Sequence, residues 1–117
     1  MNNQSMTISD MTVDKQSASL GEMGQKLLIS GDKVSMRLWE EQPGDGADKP
    51  MAARRYETVG YVMDGRAELV LEDRRVVLEP GVSWVVPQET KHSYRILEPF
   101  RAVEATHPPA RGYSSGL

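Results

Sequence analysis

Few side chains in this sequence can do chemistry, and they gather in two extended stretches. None of the 117 residues is cysteine, which removes disulfides, thiolate catalysis and thiolate metal sites. Tyr94 follows His92 by two residues, so on a strand both project from one face. His92 can act as a general acid or base near neutral pH, or it can sit hydrogen-bonded in a pocket and do nothing. Upstream, Ala52, Arg54 and Thr58 have the same parity and also share a face of an extended segment. Arg54 is a permanent cation whose fork can hold a carboxylate or phosphate through paired hydrogen bonds. Equally, it can reach out to solvent or pair with an acidic side chain such as Glu104. Glu57 has the opposite parity and joins that face only if a β-bulge rotates it. A single imidazole does not make a zinc, iron or manganese site, which needs about three protein ligands. His107 stands beside a double proline and reads as a surface residue.

The elements that must position these residues are strands. Leu27 and Ile29 alternate with Leu28 and Ser30, and Val34, Met36 and Leu38 alternate with Ser35, Arg37 and Trp39. Gly31-Asp32 between the two runs signals a hairpin. Gln42 to Gly46 is a turn. A strand is expected from Ala53 to Met63, ended by Asp64-Gly65, a dipeptide that favours a tight hairpin, with Ala67 to Leu71 as the return strand. Glu72-Asp73-Arg74 and Glu79-Pro80-Gly81 turn around a strand at Arg75 to Leu78. Extended runs follow at Ser83 to Val86, His92 to Leu97 and Arg101 to Thr106. No segment carries a sustained helical period. Short strands with turns every eight to twelve residues predict an all-β sandwich or barrel in a single domain.

The spacings also resemble the two motifs of the cupin family, G-x5-H-x-H-x3-E-x6-G and G-x5-P-x-G-x2-H-x3-N. The first interval set runs from Gly46 through Ala52, Arg54 and Thr58 to Gly65. The second runs from Gly81 through Pro87, Glu89 and His92 to Ile96. The intervals match, while most of the chemistry is replaced. In metal-binding cupins the histidines and the glutamate of these positions hold a divalent metal inside the barrel, and only His92 survives here. The resemblance implies a small double-stranded β-helix (jelly-roll) barrel over residues 21–107. Residues 1–20 then form a polar, flexible arm and residues 108–117 a tail. It also implies that Arg54, Thr58, His92 and Tyr94 face the barrel interior and form a ligand-binding set, with no metal and no other cofactor. Glu89 stands where the family has glycine, so its loop either avoids a left-handed conformation or carries modest strain. Members commonly form homodimers, and Tyr56 or Tyr61, on opposite faces, is available for such a contact.

Fourteen basic against seventeen acidic residues give a net charge of −3, spread along the chain. That argues against nucleic acid or an anionic membrane as partner. The polar start of the chain lacks a basic region and an apolar stretch, so a cytoplasmic location is expected. Four functions follow. The favoured one is binding of a small, anionic molecule in the barrel without a metal. Second is a metal-independent enzyme, similar in spirit to the sugar epimerases of the superfamily, with His92 and Tyr94 as acid and base. Third is a metalloenzyme with an irregular site that includes Glu57. The fourth is a structural dimer with a filled pocket. Fold alone does not choose among them.

Overall fold

The computed structural model describes residues 11–21, 23–44 and 50–110. Gly46, at the start of the first motif, lies outside them, as do residues 1–10 of the expected arm and 111–117 of the tail. Among these described residues eight strands form, β1 (Lys26–Ser30), β2 (Ser35–Glu41), β3 (Glu57–Asp64), β4 (Ala67–Leu71), β5 (Arg75–Leu78), β6 (Ser83–Val86), β7 (His92–Ile96) and β8 (Phe100–His107). They make a five-stranded sheet in the order β1-β2-β8-β3-β6 and a three-stranded sheet in the order β5-β4-β7. Every pairing is antiparallel. From β3 onward the chain passes repeatedly from one sheet to the other, which is how a jelly roll closes on itself.

Period-two alternation gives each sheet an inner face. Along β8, Phe100, Ala102, Glu104 and Thr106 are buried while Arg101 is exposed. The inner faces meet around Trp39, Val62, Leu69, Leu78, Trp84 and Phe100. On β2 the inward set is Ser35, Arg37 and Trp39; on the other face Met36 is exposed and Leu38 buried, and Val34, just before the strand, is exposed. A partly polar stripe thus faces the interior, and an apolar one faces out.

The Gly31-Asp32 hairpin forms between β1 and β2, closed by Gly31 N–H donating to the Val34 carbonyl at 2.7 Å. The hairpin expected at Asp64-Gly65 does not. β3 pairs with β6 and β8, while β4 pairs with β5 and β7, so this dipeptide carries the chain across to the opposite sheet. Gly65 takes φ +79° and packs its backbone directly against the Pro99 carbonyl. The strand expected from Ala53 begins only at Glu57. Before it, Ala52 makes an isolated bridge to His92.

The segment before β1 is held to the barrel by charge. Lys15 and Lys26 place their ammonium groups 2.8 and 3.1 Å from the Glu40 carboxylate. The hydrogen bond from Lys15, with that from Lys26, holds the Glu40 carboxyl down to about 2. Lys15 belongs to a single 3-10 turn, Lys15–Ser17, and further along Leu27 N–H bonds the Ser19 carbonyl. Just before β1, Met23 and the buried Gln25 line the pocket inside the barrel. Among the described residues no helix is long and apolar enough to cross a membrane.

Candidate functional site

One pocket opens into the barrel between the start of β3, the beginning of β7 and β2. Strand parity brings the expected side chains to it. Thr58 is inward on β3 and buried, and His92 and Tyr94 are inward on β7 and buried. Arg54 lies just before β3 and is half-buried. All four line the same cavity. Two main-chain contacts fix the approach of Arg54. Ala52 and His92 exchange backbone hydrogen bonds of 2.9 and 3.0 Å, and Glu89 N–H donates to the Arg54 carbonyl at 2.7 Å. Glu89 reaches that position with φ +61°. The loop therefore keeps the left-handed turn that a glycine would favour, at a cost of about 1–2 kcal/mol in backbone strain.

Sequence reasoning missed the deepest part of the site. Arg37 and Gln25 line the pocket and are 6% and 2% exposed. The Arg37 guanidinium forms an ion pair with Glu104 and lies over the Tyr56 ring, 5.2 Å from its centroid. Glu104 was expected as a partner for Arg54, and its observed ion pair is with Arg37. It sits on β8 directly opposite Arg37 in the β2–β8 register, within reach of a side chain on the same inner face. Burial pushes the Glu104 carboxyl up, against the opposing pull of Arg37 and the Trp39 indole. The alternation along β2 was readable. Its inward half was not, because Arg37 and Ser35 are ordinarily the outward residues of such a strand.

His92 has a defined tautomer. Its Nδ1 lies 2.7 Å from the Thr90 carbonyl, an oxygen that can only accept. Nδ1 therefore carries the proton, and the neutral ring keeps its lone pair on Nε2. Burial pushes His92 below its ordinary value; the Thr90 bond opposes this, and the charges of Arg54 and Arg37 reinforce it. The imidazole is neutral at pH 7. An NMR titration is expected to place its midpoint below 6.5, and Arg54→Gln to move it upward by removing one repelling charge. An unchanged midpoint in that variant would put Arg54 away from the ring.

Tyr94 is committed elsewhere. Its hydroxyl accepts a 3.1 Å hydrogen bond from the Trp84 indole, and its ring meets Trp39 edge-on at 4.8 Å. Burial, with the nearby Glu104 charge, pushes the phenol well above its usual value. It is a wall of the pocket that stays protonated.

The positions that hold metal in metal-binding cupins carry Ala52, Arg54 and Thr58 beside His92. The first has no donor atom, and the second is a fixed cation. Glu57 is exposed, and β3 runs through Glu57 and Thr58 with no register shift that would turn it inward. Among the described residues no three His, Asp or Glu side chains are grouped so as to hold a metal ion. This donor set does not fit a divalent cation.

An eight-stranded antiparallel jelly roll with its pocket at the two motif loops defines the class. Residues 37–106 match the family model for the cupin domain, and the chain belongs to the cupin family. Among solved structures it resembles KdgF from Halomonas sp., with a TM-score of 0.64 and 24% identity over 72% of this chain and 78% of that one. The EutQ protein of Clostridium difficile superposes with a TM-score of 0.66 and 18% identity, covering 90% and 74% of the two chains. An RmlC-like cupin from Shewanella frigidimarina gives 0.68 and 19%, covering 86% and 91%. At these identities the likeness is one of fold. No curated protein matches the sequence.

Proposed function

We propose that this cupin binds a small anion in its barrel without a metal. The observation that supports this reading best is the charge of the pocket wall. Two guanidinium groups, Arg37 and Arg54, line it, and among the described residues no carboxylate does. Glu104, behind Arg37, offsets one of those charges. Thr58 adds a hydroxyl that can donate, and desolvation by the barrel wall strengthens each contact. A charge of the same sign as the lost ion's is supplied by a side chain. Isothermal titration with acetate and with phosphate tests the reading. Binding of either is expected, weakened about tenfold or more in Arg54→Gln. Elemental analysis after incubation with manganese, iron, nickel and zinc is expected to find less than about a tenth of an equivalent per chain. Near-stoichiometric metal that disappears in His92→Ala would overturn the proposal.

The metal-independent enzyme remains the second reading, and it rests on His92 alone. The tautomer leaves Nε2 as a base, while burial holds the Tyr94 phenol too far above its usual value to release its proton near neutral pH.

A second copy of the chain is the partner we propose, through the outer face of the larger sheet. Met36, Val59, Tyr61 and Val85 are 37% to 51% exposed on that face. On the outer face of the smaller sheet exposed Val77 stands among charges, with Glu68 bridged to Arg75 and Arg95. A neutral apolar centre suits burial against its own image about a two-fold axis. Analytical ultracentrifugation is expected to find a dimer, and Val59→Lys with Tyr61→Glu a folded monomer. A wild-type monomer at high micromolar concentration would remove this partner.

A further inference from the structure

The pocket that carries the guanidinium groups also carries a group whose charge changes near neutral pH. Of the two histidines in the chain, His92 lines the cavity, and His107 lies exposed at the end of β8. Nδ1 of His92 donates to the Thr90 carbonyl at 2.7 Å, a bond that the neutral and the charged ring both make. A second proton therefore goes to Nε2 with no rotation of the ring. Burial disfavours that proton and holds the imidazole below its ordinary value. The Thr90 bond opposes this, and the charges of Arg54 and Arg37 add to it.

The cavity is about 30 Å3, room for about two waters. An anion inside it rests against most of the lining, so its charge stands beside the His92 ring as well as the arginines. The attraction acts through charge and distance, and it requires neither guanidinium to lack another partner. An anion there favours the imidazolium, and by reciprocity the imidazolium favours the anion by the same factor.

We propose that the anion and a proton enter this pocket together, the proton on Nε2 of His92, so that the protein loads on acidification and releases its anion toward neutral pH. This rests on the reading of the pocket as an anion site. Arg37 of β2 and Arg54 before β3 are permanent cations. Tyr94, 5.5 Å from His92 between ring centroids, keeps its phenol proton because burial pushes it well above its usual value. Tyr56 faces the Arg37 guanidinium, and the neighbour of His92 on β4 is the uncharged Leu71. Glu57 and Glu89 are exposed, and Lys91 is bridged to Glu72 outside the pocket. Glu104 of β8, behind Arg37, is also pushed up by burial. Its protonation would favour an anion too, so a variant of His92 must separate the two.

The test is calorimetric titration of the full chain with formate, which stays ionised across the range, at pH 5 and pH 8. Binding is expected to be about tenfold or more tighter at pH 5. Affinity is full below the His92 midpoint of the free protein, falls as pH rises to the midpoint of the complex, and is flat above it. An NMR titration is expected to show formate moving the His92 midpoint upward. His92→Gln is expected to flatten the pH dependence, with circular dichroism checking its fold. If that variant does not fold, the NMR midpoint, read on the unaltered protein, decides. Equal affinity at the two pH values, an unmoved His92 midpoint, or a pH dependence that persists in folded His92→Gln would overturn this inference and leave the anion site standing. Failure of formate to bind at either pH would overturn both.

Discussion

Replacing Arg37 with methionine is expected to cost about 3–5 kcal/mol of stability, the range for leaving one member of a buried ion pair alone. The deficit should be larger at pH 8 than at pH 5. Glu104 is 2% exposed and Arg37 6%, so neither charge has water to fall back on. With the guanidinium removed, burial is the dominant influence on Glu104, and it already pushes the carboxyl up against Arg37. A carboxyl whose folded value exceeds its unfolded one holds its proton more tightly when folded. Its contribution is full below the unfolded value, about 4.3, and is lost as pH rises through the folded one. The variant therefore regains stability on acidification. Urea denaturation at the two pH values reads this directly. Adding Glu104→Gln should restore most of the loss, since the neutral amide keeps a polar group beside Trp39 without a lone charge. A loss below about 1 kcal/mol would mean that water reaches the pair, as it does in exposed bridges.

The same pair marks the limit of what the sequence discloses. Strand positions and turns were legible because alternation and Gly, Pro and Asp punctuation are local signals. β4, β5 and β6 run over the residues expected of them. Arg54, Thr58, His92 and Tyr94 were legible as a group because parity and motif spacing carry facing information, and the structure brings all four to one cavity. Arg37 was not, because alternation fixes two faces and does not say which is inner. Here the polar face of β2 turns inward, made tolerable by Glu104 sixty-seven residues away, a partner that no local pattern announces. Gln25 was missed for a similar reason. It directly precedes Lys26, which pairs with Leu38 of β2, and its burial comes from packing between parts of the chain that no local pattern links.

Asp64-Gly65 shows the same limit in the backbone, and it leads to a second large effect. The dipeptide was readable as a sharp turn, but the choice between a hairpin and a crossing lies in what packs against it. A Cβ on Gly65 would stand 1.8 Å from the Pro99 carbonyl oxygen, with φ at +79°. Two costs add in Gly65→Ala, about 1–2 kcal/mol for the left-handed backbone and about 1–3 kcal/mol for overpacking against main chain that cannot rotate away. Gly81 separates them. It has φ +91°, yet nothing lies within 4 Å of its Cβ position, so Gly81→Ala should lose only the first. Urea denaturation is expected to find Gly65→Ala less stable by about 2–5 kcal/mol and Gly81→Ala by no more than about 2 kcal/mol. Equal losses would mean that the crossing to the second sheet yields to admit the methyl group. The β3–β4 connection would then be a loose link that does not fix where β4 begins. A clear gap would make Gly65, at the end of the first motif, a residue selected for the close approach of two chain segments. Its turn geometry alone would not explain the choice, because Gly81 has that too.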